Sequence, residues 1–188
     1  MNSRFSAIAA RAGDGGTTGL GGGSCVSKAD RWVAAMGELD ELRSAVGMLI
    51  AFGLPVNELG MLSLLANIQQ DLLDLGGELS IPGNTMLKGA RAAVLDEWLK
   101  TANSTLPRFQ EFIHPGGTVA AGQAHMCRTV CRRAERAVVE LAQAQSVRDP
   151  VRQYLNRLSD LFLVMAHVLN RNDGGAEHHW DRERGTPM

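Results

Sequence analysis

Residues 149–172 read DPVRQYLNRLSDLFLVMAHVLNRN, and this stretch decides the fold class. Leu155, Leu158, Phe162, Met165 and Leu169 recur at three- and four-residue steps, which at about 100° per residue places them on one apolar stripe. Asp149 followed by Pro150 supplies an N-cap and a first-turn proline. Asn172-Asp173-Gly174-Gly175 ends the pattern with residues suited to a helix stop. The spacing therefore predicts a long amphipathic helix whose flank carries Asn156 and Asp160 together.

Working toward the N-terminus, Thr118 can cap a helix running to about Gln145, with Cys127, Val130, Cys131, Ala134, Val138 and Leu141 as its stripe. Arg128, Arg132 and Glu135 gather within roughly 60° of one another beside that stripe, so the polar flanks of these two helices could face each other. Further upstream, Trp32, Met36, Leu39, Leu42, Val46, Leu49 and Ile50 define a helix that Gly53 and Pro55 interrupt. Another runs through Leu62, Leu65, Ile68, Leu72, Leu75 and Leu79 and stops before the turn IPGN. A shorter one spans Ala90–Leu99, followed by a loop to Gly117 that holds two prolines and a diglycine. No stretch shows sustained two-residue alternation between hairpin turns, so strands are not needed. The fold expected is an all-α five-helix bundle, ferritin-like and up-and-down, with a Gly-rich N-terminal loop.

At 188 residues the chain suits one domain: a loop over 1–28, a bundle over 29–175 and a polar tail over 176–188. Charges nearly cancel at a formal −1, which excludes a global field for nucleic-acid or anionic-membrane binding. No apolar run reaches the roughly 20 residues of a membrane span, and a cytoplasmic protein is the default. Cys25, Cys127 and Cys131 lack paired zinc-ligand spacing, so reduced thiols are expected, with the helical pair as small core residues and no metal cluster. His125 and His167 are read as packing residues. His178 and His179 are read as solvated tail residues, and His114 as a surface or packing residue.

Two segments offer anion chemistry. CRRAER (131–136) reads either as a solvated face with weak surface pairs or as a guanidinium clamp whose planar donors match phosphate oxygens. The N-terminal AGDGGTTGLGGGSC (12–25) reads either as a flexible tail or as a loop whose amides converge on an oxygen, helped by Thr17, Thr18 and Lys28. It is not a Walker A motif, since no Gly-Lys-Ser/Thr follows the glycines.

Taken together and in order, three blocks resemble the PduO-type ATP:cob(I)alamin adenosyltransferases. RAGDGGTTGLGGGSCVSK (11–28) is similar to that family's ATP loop, and MGELDEL (36–42) to the end of its first helix. FIHPGG (112–117) with HMCRTVCRRAER (125–136) and YLNRLSDLFLVMAHVLN (154–170) is the most specific block. The resemblance implies transfer of the 5′-deoxyadenosyl group of ATP to the cobalt of cob(I)alamin, with release of triphosphate. It places ATP on Arg11, Ala12, Gly13, Asp14, Thr18, Lys28, Arg132, Arg133, Glu135, Arg136 and Asn156, with Mg2+ beside the phosphates. It places Phe112, Arg128 and Asp40 at the cobalamin, Phe112 displacing the lower axial ligand and Asp40 pairing with Arg128. A homotrimer with sites between subunits is implied, as are a reductase and a cobalamin-dependent acceptor enzyme as partners. The chain departs from the family pattern at Ala10, Cys25, Ala34 and His114. The alternatives are a non-catalytic ATP- and corrinoid-binding or cofactor-delivery homologue, and a structural bundle whose arginines only join subunits.

Overall fold

The computed structural model describes residues 13–52, 54, 60–107 and 112–180. In chain order these form strands β1 (Thr17–Gly19) and β2 (Cys25–Ser27) and helices α1 (Arg31–Ala51), α2 (Met61–Ser80), α3 (Arg91–Asn103), α4 (Val119–Ala142) and α5 (Asp149–Asn172). The five expected helices are present within a few residues of their predicted limits. Side-chain caps account for two starts: Asp30 accepts from the Trp32 amide at 2.9 Å, and Thr118 from the Ala121 amide at 3.3 Å. At α5 the cap position belongs to Arg148 rather than Asp149. Asp149 is the first helical residue, and its carboxylate is instead held by Arg152.

The helices run up and down. Arg31–Glu140 at 3.3 Å and Gln123 donating to the Ala45 carbonyl at 3.0 Å fix α1 antiparallel to α4. Cys131 against the Leu155 carbonyl and the Thr118 amide against Asn170 fix α4 antiparallel to α5. Their apolar stripes meet in one core that includes Leu39, Leu42, Leu65, Ile68, Tyr154 and Phe162. Full burial of each such side chain contributes about 1.5–3 kcal/mol. The α2 stripe starts at Met61, which is fully buried, whereas Leu62 faces outward.

Two buried carboxylates tie helices together. Asp71 of α2 accepts from Arg91 of α3 at 2.7 Å and from the Tyr154 hydroxyl of α5 at 2.7 Å. Burial first, and the Asp71 charge second, push the Tyr154 phenol far above its ordinary value, so it stays a donor. Glu78 accepts the Met86 and Leu87 amides at 3.0 and 3.1 Å and pairs with Arg148 at 3.2 Å, closing the turn that Pro82 begins.

To the all-α bundle the structure adds one feature: β1 and β2 pair antiparallel as a short hairpin, Thr17 opposite Ser27, Thr18 opposite Val26 and Gly19 opposite Cys25. Each strand has three residues, of which only the central one is half-buried. That is too short an alternation to show as a period. The glycine-rich segment is thus a hairpin and not a flexible tail. It docks by its turn, where Leu20 is buried and the Gly22 amide donates to the Ser80 carbonyl of α2 at 3.3 Å. A Cβ on Gly21 would lie 2.7 Å from Ser80 and Ile81, so glycine permits this approach.

Candidate functional site

Three groups of residues carry the candidate chemistry. The first is the base of the hairpin. The Gly16 amide donates to the Gly13 carbonyl at 3.1 Å and the Lys28 amide to the Gly16 carbonyl at 2.9 Å, with Gly16 at φ +79°. The Lys28 side chain lies over Gly13, where an added Cβ would stand 2.8 Å from Nζ. Asp14 is exposed and Thr18 half-buried beside them. The Lys28 ammonium and the Thr18 side chain therefore lie at one end of the hairpin, whose Gly16 and Lys28 amides are spent on the turn itself. Arg11 and Ala12 lie outside the described residues.

The second group is the outer face of α4 and α5. In the antiparallel register Arg132 stands level with Asn156, and Arg128 with Asp160. Arg132, Arg136, Asn156 and Asp160 are exposed, while Glu135 and Arg128 are half-buried. The sequence reading set Arg132 beside the core; it points outward instead, because the stripe is narrower than the flank assigned to it. Arg128 alone reaches inward, and its Nε is buried without a hydrogen-bond partner. Among the described residues, no intrachain hydrogen bond or ion pair engages the side chains of Arg132, Arg136 or Asn156.

Two assignments separate from that face. Arg133 lies on the opposite flank of α4, against α1, where Glu38 at 2.5 Å and Glu41 hold it. These hydrogen bonds push its pKa further above the ordinary arginine value. With two carboxylates upon it, Arg133 is engaged across the α1–α4 seam. Asp40 is exposed on α1 and pairs weakly with Arg43, one turn on, at 3.7 Å. The structure does not bring it to Arg128 in one chain, because α1 covers the Arg133 side of α4.

The third group is the loop before α4. Phe112 is 82 % exposed and shares an open apolar hollow with Ile113, His114 and Trp180. Gly117 adopts φ +90° directly against Asn170, whose amide accepts from the Thr118 N–H at 3.1 Å and donates to the Gly175 carbonyl at 3.3 Å. His178 and His179 are exposed, as expected, but the backbone of residues 178–180 pairs with this loop. The His114 amide donates to the His178 carbonyl at 2.8 Å, the Trp180 amide to the Phe112 carbonyl at 2.7 Å, and Ile113 bridges His179. His167 is buried in contact with the tail's Glu177, and the His125 ring stands edge-on to it at 5.9 Å. Burial first, then the Arg128 charge, lower His125 to about 4.

Asn170, Glu177 and Trp180 were missed from sequence. A tryptophan in a polar tail and an asparagine facing two diglycines were the only available signals. The cysteines keep their packing role: burial pushes Cys127 up to about 12 and Cys131 higher still, so both remain thiols. Among the described residues no three His, Cys, Asp or Glu side chains gather as a metal nest.

Hairpin and arginine face sit at different levels along the bundle. Lys28 precedes α1, level with residue 143, and Arg132 lies eleven residues back along α4, roughly 16 Å at 1.5 Å per residue.

Among the described residues, five bundled helices with an outward guanidinium face and a separate glycine-rich hairpin define a helical-bundle protein whose exposed positive charge suits an anion. The sequence pattern of the family described as cobalamin adenosyltransferase matches residues 8–169. A cobalamin adenosyltransferase from Cupriavidus metallidurans is 55% identical, covering 98% of this chain and 99% of its own. A corrinoid adenosyltransferase from Bacillus subtilis is 36% identical over 92% of this chain and 91% of its own. A solved structure of a PduO-type ATP:corrinoid adenosyltransferase variant from Lactobacillus reuteri, complexed with cobalamin and ATP, superposes with a TM-score of 0.86. It is 32% identical, and the match covers 94% of this chain and 97% of that one. The chain belongs to the cobalamin adenosyltransferase family.

Proposed function

We propose that this chain transfers the 5′-deoxyadenosyl group of ATP to the cobalt of cob(I)alamin. A Co–C5′ bond forms, the C5′–O bond breaks, and triphosphate leaves with the electron pair. The observation that carries the reading is the face on which Arg132, Arg136 and Asn156 stand exposed and, among the described residues, without intrachain partners. Positive charge left unneutralised on a protein of near-zero net charge suits a polyanionic ligand.

Each group of residues then has a task. Arg132 and Arg136 bind the triphosphate and stabilise the charge that builds on it as C5′–O breaks. Asn156 and Glu135, level with Arg132, orient the nucleoside. Gly13, Asp14, Thr18 and Lys28 wrap the phosphates from the hairpin. Magnesium bound with ATP would supply further neutralisation of the triphosphate beside Arg132 and Arg136. Phe112, exposed on an apolar loop, takes the space of the lower axial ligand of the corrinoid.

Roughly 16 Å along the bundle separates the backbone levels of Lys28 and Arg132. This spacing supports a site assembled from two copies, the hairpin of one meeting the arginine face of the next, as in a homotrimer. In that arrangement Asp40 of a neighbouring copy is free to meet Arg128, whose buried Nε lacks a partner here. Arg133, bound by Glu38 and Glu41, orders the α1–α4 seam.

The test is anaerobic incubation of the chain with ATP, magnesium and pre-reduced cob(I)alamin, followed by the absorbance of the cobalt–carbon bond. Appearance of adenosylcobalamin with stoichiometric triphosphate is expected. ATP binding without that spectrum would leave a binding protein and overturn the enzymatic reading.

A further inference from the structure

Among the described residues, Phe112 sits on a segment with few anchors of its own. Downstream, Asn170 fastens the chain at Thr118. At Phe112 itself the supports among the described residues are two main-chain hydrogen bonds, Trp180 N–H to the Phe112 carbonyl and His114 N–H to the His178 carbonyl, with Ile113 bridging His179. All three connect to one short strap, residues 176–180. What fixes the strap is therefore what fixes Phe112.

The strap leaves α5 at Gly174, in left-handed conformation at φ +67°, and the Gly175 amide returns to the Asn170 carbonyl at 2.8 Å. Between Gly175 and Trp180 one side chain enters the bundle: Glu177, whose Oε1 lies 2.8 Å from Nδ1 of the buried His167. A carboxylate only accepts, so Nδ1 carries the proton. Glu177 is largely buried, and its neighbours His178, His179 and Trp180 are exposed. The contact is thus the side-chain anchor of the strap, one residue before the first main-chain bond to the loop.

We propose that Glu177 is a positioning residue for adenosyl transfer: anchored on His167, it holds the strap that sets the backbone of Phe112. This rests on the reading of Phe112 given above. Glu177 touches neither reactant. It acts by keeping Phe112 at one place over the apolar hollow, which matters only for the step in which that ring displaces the axial ligand of cob(II)alamin. Transfer from cob(I)alamin already reduced does not call on it.

The experiment uses the full chain and the variants Glu177→Ala, Glu177→Gln and Phe112→Ala. Hydrogen exchange of Glu177→Ala is expected to lose at least about tenfold protection at the His114 and Trp180 amides, with α4 and α5 unchanged. Its rate from cob(II)alamin with a chemical reductant is expected to fall about tenfold, and its rate from pre-reduced cob(I)alamin to change less than about threefold. Glu177→Gln keeps an acceptor for Nδ1 and is expected to restore both readouts to within about threefold of the parent. Unchanged exchange at those two amides, or equal loss of the two rates, overturns the proposal. If the parent forms no adenosylcobalamin from cob(I)alamin, the transfer reading fails. If Phe112→Ala loses both rates equally, the role of Phe112 fails. In either case the exchange measurement still decides whether Glu177 holds the loop.

Discussion

His125 makes acid a specific probe of the inner end of α4. It is 7 % exposed, its Nδ1 has no hydrogen-bond partner, and its ring faces that of His167 with Arg128 nearby. Burial, aided by the charges of Arg128 and His167 and opposed by Glu177, holds it at about 4 against an ordinary value near 6.5. The unfolded chain therefore takes up the proton first as pH falls. The contribution is fully present above about pH 6.5 and is lost between there and about pH 4. At about 1.36 kcal/mol per pKa unit the whole loss is roughly 3 kcal/mol, of which about 2 kcal/mol falls between pH 7.5 and pH 5. In a chain of this size that is about 4–8 °C in Tm. Thermal or urea unfolding of the parent and His125→Gln at the two pH values measures it, since the glutamine variant cannot take the proton. Its acid loss should be smaller by about 2 kcal/mol, whatever its stability at neutral pH. The same acid loss in both proteins would show that His125 is not held neutral by its surroundings.

Four other outcomes are expected. Arg132→Ala should weaken ATP binding by about 2–3 kcal/mol, roughly 30- to 150-fold in Kd, while Arg133→Ala changes it less than about threefold; calorimetry with Mg-ATP separates them. Lys28→Ala and Arg132→Ala, each inactive alone, should recover part of the activity when unfolded and reassembled together, because a mixed assembly contains sites with both parent halves; no recovery would place both residues in one subunit's site. Gly117→Ala sets a Cβ 2.0 Å from the Asn170 Oδ1 at φ +90° and should cost about 2–4 kcal/mol in urea unfolding. Tyr154→Phe leaves one oxygen of buried Asp71 without its hydroxyl donor and should cost about 1.5–3 kcal/mol in the same assay.

The five helices were legible because each buries one long stripe, and a stripe of five or six apolar residues survives as a 3.6-residue period. Proline and glycine marked their ends for the same local reason. The hairpin was not legible: three-residue strands at the surface have no period, and their pairing is decided by Leu20 and Gly21 docking on α2, far along the chain. The candidate site divides in the same way. Residue types and order marked Arg132, Asn156, Lys28 and Phe112, whereas orientation separated Arg132 from its neighbour Arg133. One residue's turn of helix points Arg133 at Glu38 and Glu41.

By itself the sequence determined the helical class, the limits of the helices and the family, since all three rest on local periodicity or ordered motifs. Only the tertiary structure decided which charges are spent inside the chain and which remain for a ligand. It also decided that hairpin and arginine face lie apart, and that the tail grips the Phe112 loop. Those outcomes depend on contacts between segments far apart in sequence, Glu38 with Arg133 and Phe112 with Trp180 among them, and no local pattern encodes such distances.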